Sequence, residues 1–187
     1  MELGKTAYVI LGMLGKQPMS GYEIKAKADV STRFFWAISY GQIYPELKRL
    51  EQAGLIAGED EAGSERGKRV YSITPPGREA LHTWLTDPGE LQSELRHEGV
   101  LRFFFADSLD HDERLALLAS IRAKHKRIQA ELAAIEPGAS AHAAETGDRL
   151  VLLTLETGIA YQQFFVDLCD RLERRLAEES DQTTGED

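Results

Sequence analysis

A single cysteine, Cys169, is all the thiol chemistry available to this 187-residue chain. An intramolecular disulfide is therefore impossible and a multi-cysteine metal or iron–sulfur site has no ligands to draw on. Cys169 reads as a small, buried, apolar side chain rather than a nucleophile. Long apolar runs are missing as well: the longest stretch without a charged residue, Phe34 to Pro45, is twelve residues, well short of the ~20 that cross a bilayer as a helix. The apolar run Thr6 to Gly15 follows Glu2 and precedes Lys16-Gln17-Pro18, so it has neither the cationic leader nor the small-residue cleavage site of a signal peptide. The expectation is a cytoplasmic protein with no membrane partner. Positive charge is in deficit too, with 22 Lys and Arg against 31 Asp and Glu and a net charge of -9, which makes the whole chain a poor nonspecific partner for nucleic acid. HExxH and GxxxxGK are absent, and His82, His97, His111, His125 and His142 are scattered. An enzyme reading finds no nucleophile with its base, no metal cluster and no phosphate loop, and no cofactor is expected.

What is present is an ordinary globular composition, 42% hydrophobic and 28% charged, enough for a real core. Its charge is unevenly divided. Residues 1–86 carry eleven cations against ten acids, while residues 87–187 carry eleven against twenty-one. The cations that bear on function cluster in the first part.

Local patterns give the organisation. Ala7, Ile10, Leu11 and Leu14 recur at helical spacing until Gly15, predicting a first helix that closes between Gly15 and Pro18. Ser20 with Glu23, and Ser39 with Gln42, each have capping-box spacing, predicting helices that start at those serines. The second of these carries Ile43, Leu47 and Leu50 on one stripe and stops at Gly54, with Pro45 inside it predicting a late start or a kink. Arg69-Val70-Tyr71-Ser72-Ile73 alternates as a half-buried strand does and closes a two-stranded hairpin from Leu55-Ile56 across a polar, glycine-containing stretch. Thr74-Pro75 opens a fourth helix, ending near Asp87-Pro88-Gly89. Beyond it everything reads as helix. One segment starts at Asp110 and runs to Pro137-Gly138 with Leu118, Ile121, His125, Ile128, Leu132 and Ile135 in steps of three and four, a coiled-coil seam. Another runs from about Thr146 with Leu153, Tyr161, Phe164 and Leu168 on one of two apolar stripes. Glu178 to Asp187 has five acids and no base, the composition of a disordered tail.

The fold class is thus mainly α with a small two-stranded β wing: a winged helix-turn-helix domain over 1–88, a helical, coiled-coil-like dimerisation domain over 89–178, and an acidic tail over 179–187. In such an arrangement the third helix enters the major groove and the wing reaches backbone or minor groove. Away from its core stripe that helix presents Gln42, Lys48 and Arg49, and the wing adds Arg66, Lys68 and Arg69. Gln and Arg can read base edges with paired hydrogen bonds, whereas Lys suits phosphate. From these features alone the cations are either a DNA-binding face or the solvated side of a helix and a charged loop.

Tyr8-Val9-Ile10-Leu11-Gly12, Ser20-Gly21-Tyr22-Glu23-Ile24, the run Tyr40 to Glu51, Gly54-Leu55-Ile56 and Tyr71-Ser72-Ile73-Thr74 together resemble the PadR family of bacterial transcriptional regulators over residues 5–86. The resemblance implies a homodimer on a pseudo-palindromic double-stranded DNA operator, usually repressing and often released by a small molecule. It implies that Ser39, Tyr40, Gln42, Tyr44, Lys48 and Arg49 lie at or near the DNA, with Gln42 standing where many members have threonine. Gln42 is the expected base reader.

Three further expectations complete the reading. The dimer contacts are Leu118, Ile121, His125, Ile128, Leu153, Tyr161, Phe164 and Leu168, with His125 a candidate protonation-sensitive contact. Phe34, Phe35, Trp36, Trp84, Phe103 and Phe104 either form interface core or line an apolar cavity at the domain junction for a small apolar or aromatic effector. The alternative to DNA binding is a dimeric adaptor that uses the winged helix to hold protein.

Overall fold

The structure, a computed structural model, describes residues 3–61, 68–89 and 96–184, with side chains as far as Glu178. The chain packs as two compact units, Met1–Gln92 and Ser93–Asp187.

The first unit runs α1 (Lys5–Lys16), β1 (Met19–Ser20), α2 (Gly21–Asp29), a 3-10 turn at Thr32–Phe34, α3 (Tyr40–Gln52), β2 (Ile56–Asp60), β3 (Arg69–Ile73) and α4 (Pro75–Thr86). Its core is the set of apolar positions that fall at helical spacing. Ile10, Leu11 and Ile24 meet Ile43, Leu47 and Leu50, all fully buried, and the sheet adds Met19, Ile56 and Ile73. The strands lie in the order β1-β3-β2 and pair antiparallel, with Ile56 opposite Ile73, Asp60 opposite Arg69 and Met19 opposite Tyr71. The sheet therefore has three strands where the sequence predicts two. β1 is two residues long and owes its existence to pairing with β3, so no alternation could announce it.

Capping sets the ends. Ser20 and Glu23 form the expected box on α2. α3 begins at Tyr40, on time, with Pro45 accommodated as its sixth residue, so the expected late start does not occur. α3 ends in a Schellman motif: Gly54 at φ 70° donates to the Glu51 carbonyl, and Leu55 N–H donates to the Leu50 carbonyl, both at 3.0 Å. Thr74 Oγ1 then donates to the Gly54 carbonyl at 2.7 Å and accepts from Gly77 N–H at 3.2 Å, docking the start of α4 on that turn.

The second unit holds α5 (Glu98–Phe104), a 3-10 turn at Ala106–Ser108, α6 (His111–Ala133), α7 (Glu136–Thr146) and α8 (Leu150–Thr184). α6 and α8 pack antiparallel, as the pairs Arg122 with Asp170, His125 with Gln162 and Leu132 beside Gly158 show. Two boundaries differ from the sequence reading here. α6 ends at Ala133 and a two-residue turn at Ala134-Ile135 follows; Pro137-Gly138 then lies in the first turn of a further helix, α7, where proline costs nothing, and Gly147 at φ 75° closes it. The acidic segment from 179 continues α8 to Thr184, because each added residue gains a backbone bond and no Gly or Pro intervenes before Gly185.

Candidate nucleic-acid interface

α3 separates its faces cleanly. Ile43, Leu47 and Leu50 are buried, whereas Tyr40, Gln42, Tyr44 and Lys48 are exposed. Tyr40 and Tyr44 stack at 6.2 Å between ring centroids, and Tyr22 of α2 stacks on Tyr40 at 6.4 Å, with 18° between planes in each pair. Gly21 makes this possible: a Cβ there would lie 2.8 Å from the Tyr44 ring and 3.1 Å from Leu47. Lys25 sits with its ammonium 5.6 Å from the Tyr40 centroid while pairing with Asp29.

Gln42 is engaged locally. Its Oε1 accepts from Ser39 N–H at 2.9 Å and from Ser39 Oγ at 3.1 Å, so a two-bond contact with adenine requires this cap to open. Ser39 is exposed and serves as N-cap. Arg49 is half-buried and grips Glu46 with Nε at 3.0 Å and an Nη at 2.6 Å, a pair that holds its guanidinium more firmly in the charged form.

The described wing cations are ion-paired. Arg69 donates to Glu51 Oε1 at 2.6 Å and to Asp60 Oδ1 at 2.9 Å, which raises its pKa further above the ordinary arginine range. Glu51 Oε1 also accepts from Gly58 N–H at 3.1 Å, so β2, β3 and the last turn of α3 are tied at one carboxylate. Gly58 is required at this crossing, since a Cβ would meet the Arg69 Nε at 2.5 Å. Lys68 lies between Glu23 at 3.2 Å and Glu61 at 3.6 Å. The Glu23 carboxyl is held below the ordinary range, first by the Ser20 backbone N–H, then by the Ser20 hydroxyl and Lys68, and Lys68 is raised by Glu23. Arg66 lies outside the described residues. Thus carboxylates distant in sequence fold onto Arg69 and Lys68, and a DNA contact by either cation competes with these pairs. The sequence reading missed Glu51 and Glu23 as organisers and Tyr22 as part of the exposed aromatic row, although Ser20-Gly21-Tyr22-Glu23 was a visible motif.

The expected effector residues fall in both units. Trp84 stacks flat on Tyr8 at 4.4 Å with the Lys5 ammonium 5.6 Å from its ring. Phe34 is half-buried and carries the Arg33 guanidinium at 4.6 Å, and Phe35 and Trp36 are exposed. In the second unit Phe103 packs on Leu118, Ile121 and Cys169, and Phe104 is exposed.

The dimer contacts divide as well. Leu118, Ile121 and His125 are buried within this chain, the first two beside Cys169 and His125 against Gln162 and Phe165, and Ile128 is half-buried. These three are therefore core of the unit and not a seam for a second copy. A spacing of three and four marks a helix partner without saying whether it is in the same chain. Leu153, Tyr161 and Phe164 are exposed on α8, and Leu168 is half-buried. Among the described residues no group of three or more His, Cys, Asp and Glu could hold a metal, and no helix is long and apolar enough to cross a membrane.

Residues 10–83 match the transcriptional regulator PadR-like family, and residues 95–177 match the family described as virulence activator alpha C-term. Over 107 residues the chain is 34% identical to the negative transcriptional regulator PadR of Bacillus subtilis; the alignment covers 57% of this chain and 59% of that relative, so less than two thirds of the relative's length is spanned. The crystal structure of Bacillus subtilis PadR in complex with operator DNA is similar with a TM-score of 0.85 at 26% identity, covering 94% of this chain and 99% of that one. The same regulator in complex with p-coumaric acid gives a TM-score of 0.74 at 25% identity over the same shares.

Proposed function

We propose that the chain is a PadR-like transcriptional regulator, a cytoplasmic, homodimeric repressor that binds operator DNA and is released by a small aromatic effector; the match of residues 10–83 to the PadR-like family and the likeness to PadR support this reading. The observation that carries the proposal is the exposed face of α3. A helix that buries Ile43, Leu47 and Leu50 leaves Tyr40, Gln42, Tyr44 and Lys48 in solvent, a combination of phosphate and base-edge donors. The operator complex of a relative with the same fold over almost the whole chain supports this reading.

The exposed α8 stripe of Leu153, Tyr161 and Phe164 is an apolar face that a second copy covers. Two copies related by a twofold axis set two recognition helices about one DNA turn, ~34 Å, apart, which requires a pseudo-palindromic site. The complex of a relative with p-coumaric acid supports an aromatic acid as effector class. An effector of this kind acts by favouring a dimer whose recognition helices are wrongly spaced.

The test is fluorescence anisotropy with the duplex upstream of the protein's own coding sequence against a scrambled duplex of equal length. Tight, salt-sensitive, selective binding with two protomers per site is the expected result. Absence of binding to either duplex at low salt refutes DNA binding and makes the adaptor reading the better one.

A further inference from the structure

Tyr22 is more exposed, at 66%, than Tyr40 at 43% or Tyr44 at 52%. A phenol ring held in solvent gains nothing from burial in its own unit, and three adjacent ones form the kind of exposed patch that marks an interaction surface. The two stacking intervals, 6.4 and 6.2 Å with planes 18° apart, make them one continuous row that leaves α3 and crosses to the first turn of α2. In a helix-turn-helix the helix preceding the recognition helix crosses the DNA backbone. The row therefore lies where phosphates pass, with Lys48 one helical turn beyond Tyr44 on α3.

Charge narrows what the row does. Arg49 is paired with Glu46, Arg69 with Glu51 and Asp60, Lys68 with Glu23 and Glu61, and Lys25 with Asp29. A phosphate that recruits any of these cations must displace a carboxylate, which offsets much of the Coulomb gain. A phenol hydroxyl donates without that exchange, and tyrosine is an established phosphate donor.

We infer that Tyr22 is a DNA-contacting residue on α2, and that Tyr22, Tyr40 and Tyr44 form a row of uncharged hydroxyl donors to the phosphate backbone. The inference rests on the DNA-binding reading above. An uncharged donor neutralises no phosphate and releases no counterion, so it adds affinity without steepening the dependence on salt. It adds it equally for every sequence.

The experiment compares the full chain with its Tyr22→Phe and Tyr22→Ala variants on the upstream duplex and on a scrambled duplex of the same length, by anisotropy at several salt concentrations. Loss of one hydroxyl per protomer removes two hydrogen bonds to charged groups per dimer, an expected weakening of about a hundredfold or more. Both variants weaken alike on both duplexes, and the slope of log affinity against log salt stays at the wild-type value. Wild-type affinity in Tyr22→Phe overturns the inference, as does a loss seen only in Tyr22→Ala, which would make the ring a prop for Tyr40. A shallower slope in Tyr22→Phe also overturns it, because the contact would then act through a charge. Wild-type protein that binds neither duplex overturns the DNA-binding reading and this inference with it.

Discussion

In the second unit a chain of three hydrogen bonds fixes every proton on two histidines. Val100 N–H donates to His97 Nδ1 at 3.0 Å, so the His97 proton sits on Nε2. That Nε2 faces His125 Nε2 at 2.7 Å and must be the donor. His125 then carries its proton on Nδ1, which donates to Gln162 Oε1 at 2.6 Å. Both rings stack on Phe165, at 4.4 and 4.5 Å. A second proton on either ring sets N–H against N–H or breaks the cap on α5. Burial is the main cause that lowers both pKa values from the ordinary histidine value, with His125 and Lys124 adding repulsion at His97 and Lys124 adding it at His125.

The sign of the linkage follows. Histidines neutral in the fold and free to charge when unfolded bind more protons in the unfolded state below about pH 6.5. Their contribution to stability is complete above that pH and is lost as pH falls towards the depressed folded values, at no more than about 1.4 kcal/mol per pH unit for each proton. His125→Leu strands the buried Gln162 amide, which is 4% exposed, and costs about 1 to 3 kcal/mol at pH 8. Because the variant no longer carries the His125 proton linkage, the two stability curves converge on acidification. Urea denaturation followed by far-ultraviolet circular dichroism from pH 8 to 5 measures this, and imidazole nitrogen shifts report the two tautomers directly. Parallel curves, or a His125 protonated at Nε2, refute the reasoning.

Gly77→Ala sets a methyl 2.0 Å from the Leu55 carbonyl oxygen and 2.9 Å from Ile73, and backbone must move, so thermal melting should show a loss of about 3 kcal/mol. Gly12→Ala, with nothing within 4 Å of its Cβ, should instead gain about 0.5 to 1 kcal/mol in the same assay. Lys48→Gln should reduce the magnitude of the log–log salt slope by about 0.9 for each protomer, read by anisotropy. Phe164→Asp, on the exposed α8 stripe, should convert the dimer to monomer in size-exclusion chromatography with the helical signal kept.

Local signals were legible because their partners are local. The boxes at Ser20 with Glu23 and at Ser39 with Gln42, the stop at Gly54 and the start at Thr74-Pro75 are each made within five residues, and each element begins where its cap does. The core stripe of α3 was legible for the same reason. The ion pairs of the wing were not. Arg69 meets Glu51 and Asp60 from 18 and 9 residues away, and Lys68 meets Glu23 across 45. β1 has no pattern of its own apart from β3. At Leu118, Ile121 and His125 the periodicity was right and the partner was wrong, since α8 of the same chain fills the place assigned to a second copy.

The most direct test of the proposal that α3 carries an operator-binding face is hydroxyl-radical footprinting of the dimer on the duplex it selects, with Tyr44→Ala and Lys48→Gln proteins alongside. The account predicts two protected half-sites centred about one helical turn apart, ~34 Å, both lost or faint in the variants at the same protein concentration. Protection that persists unchanged in both variants would contradict it.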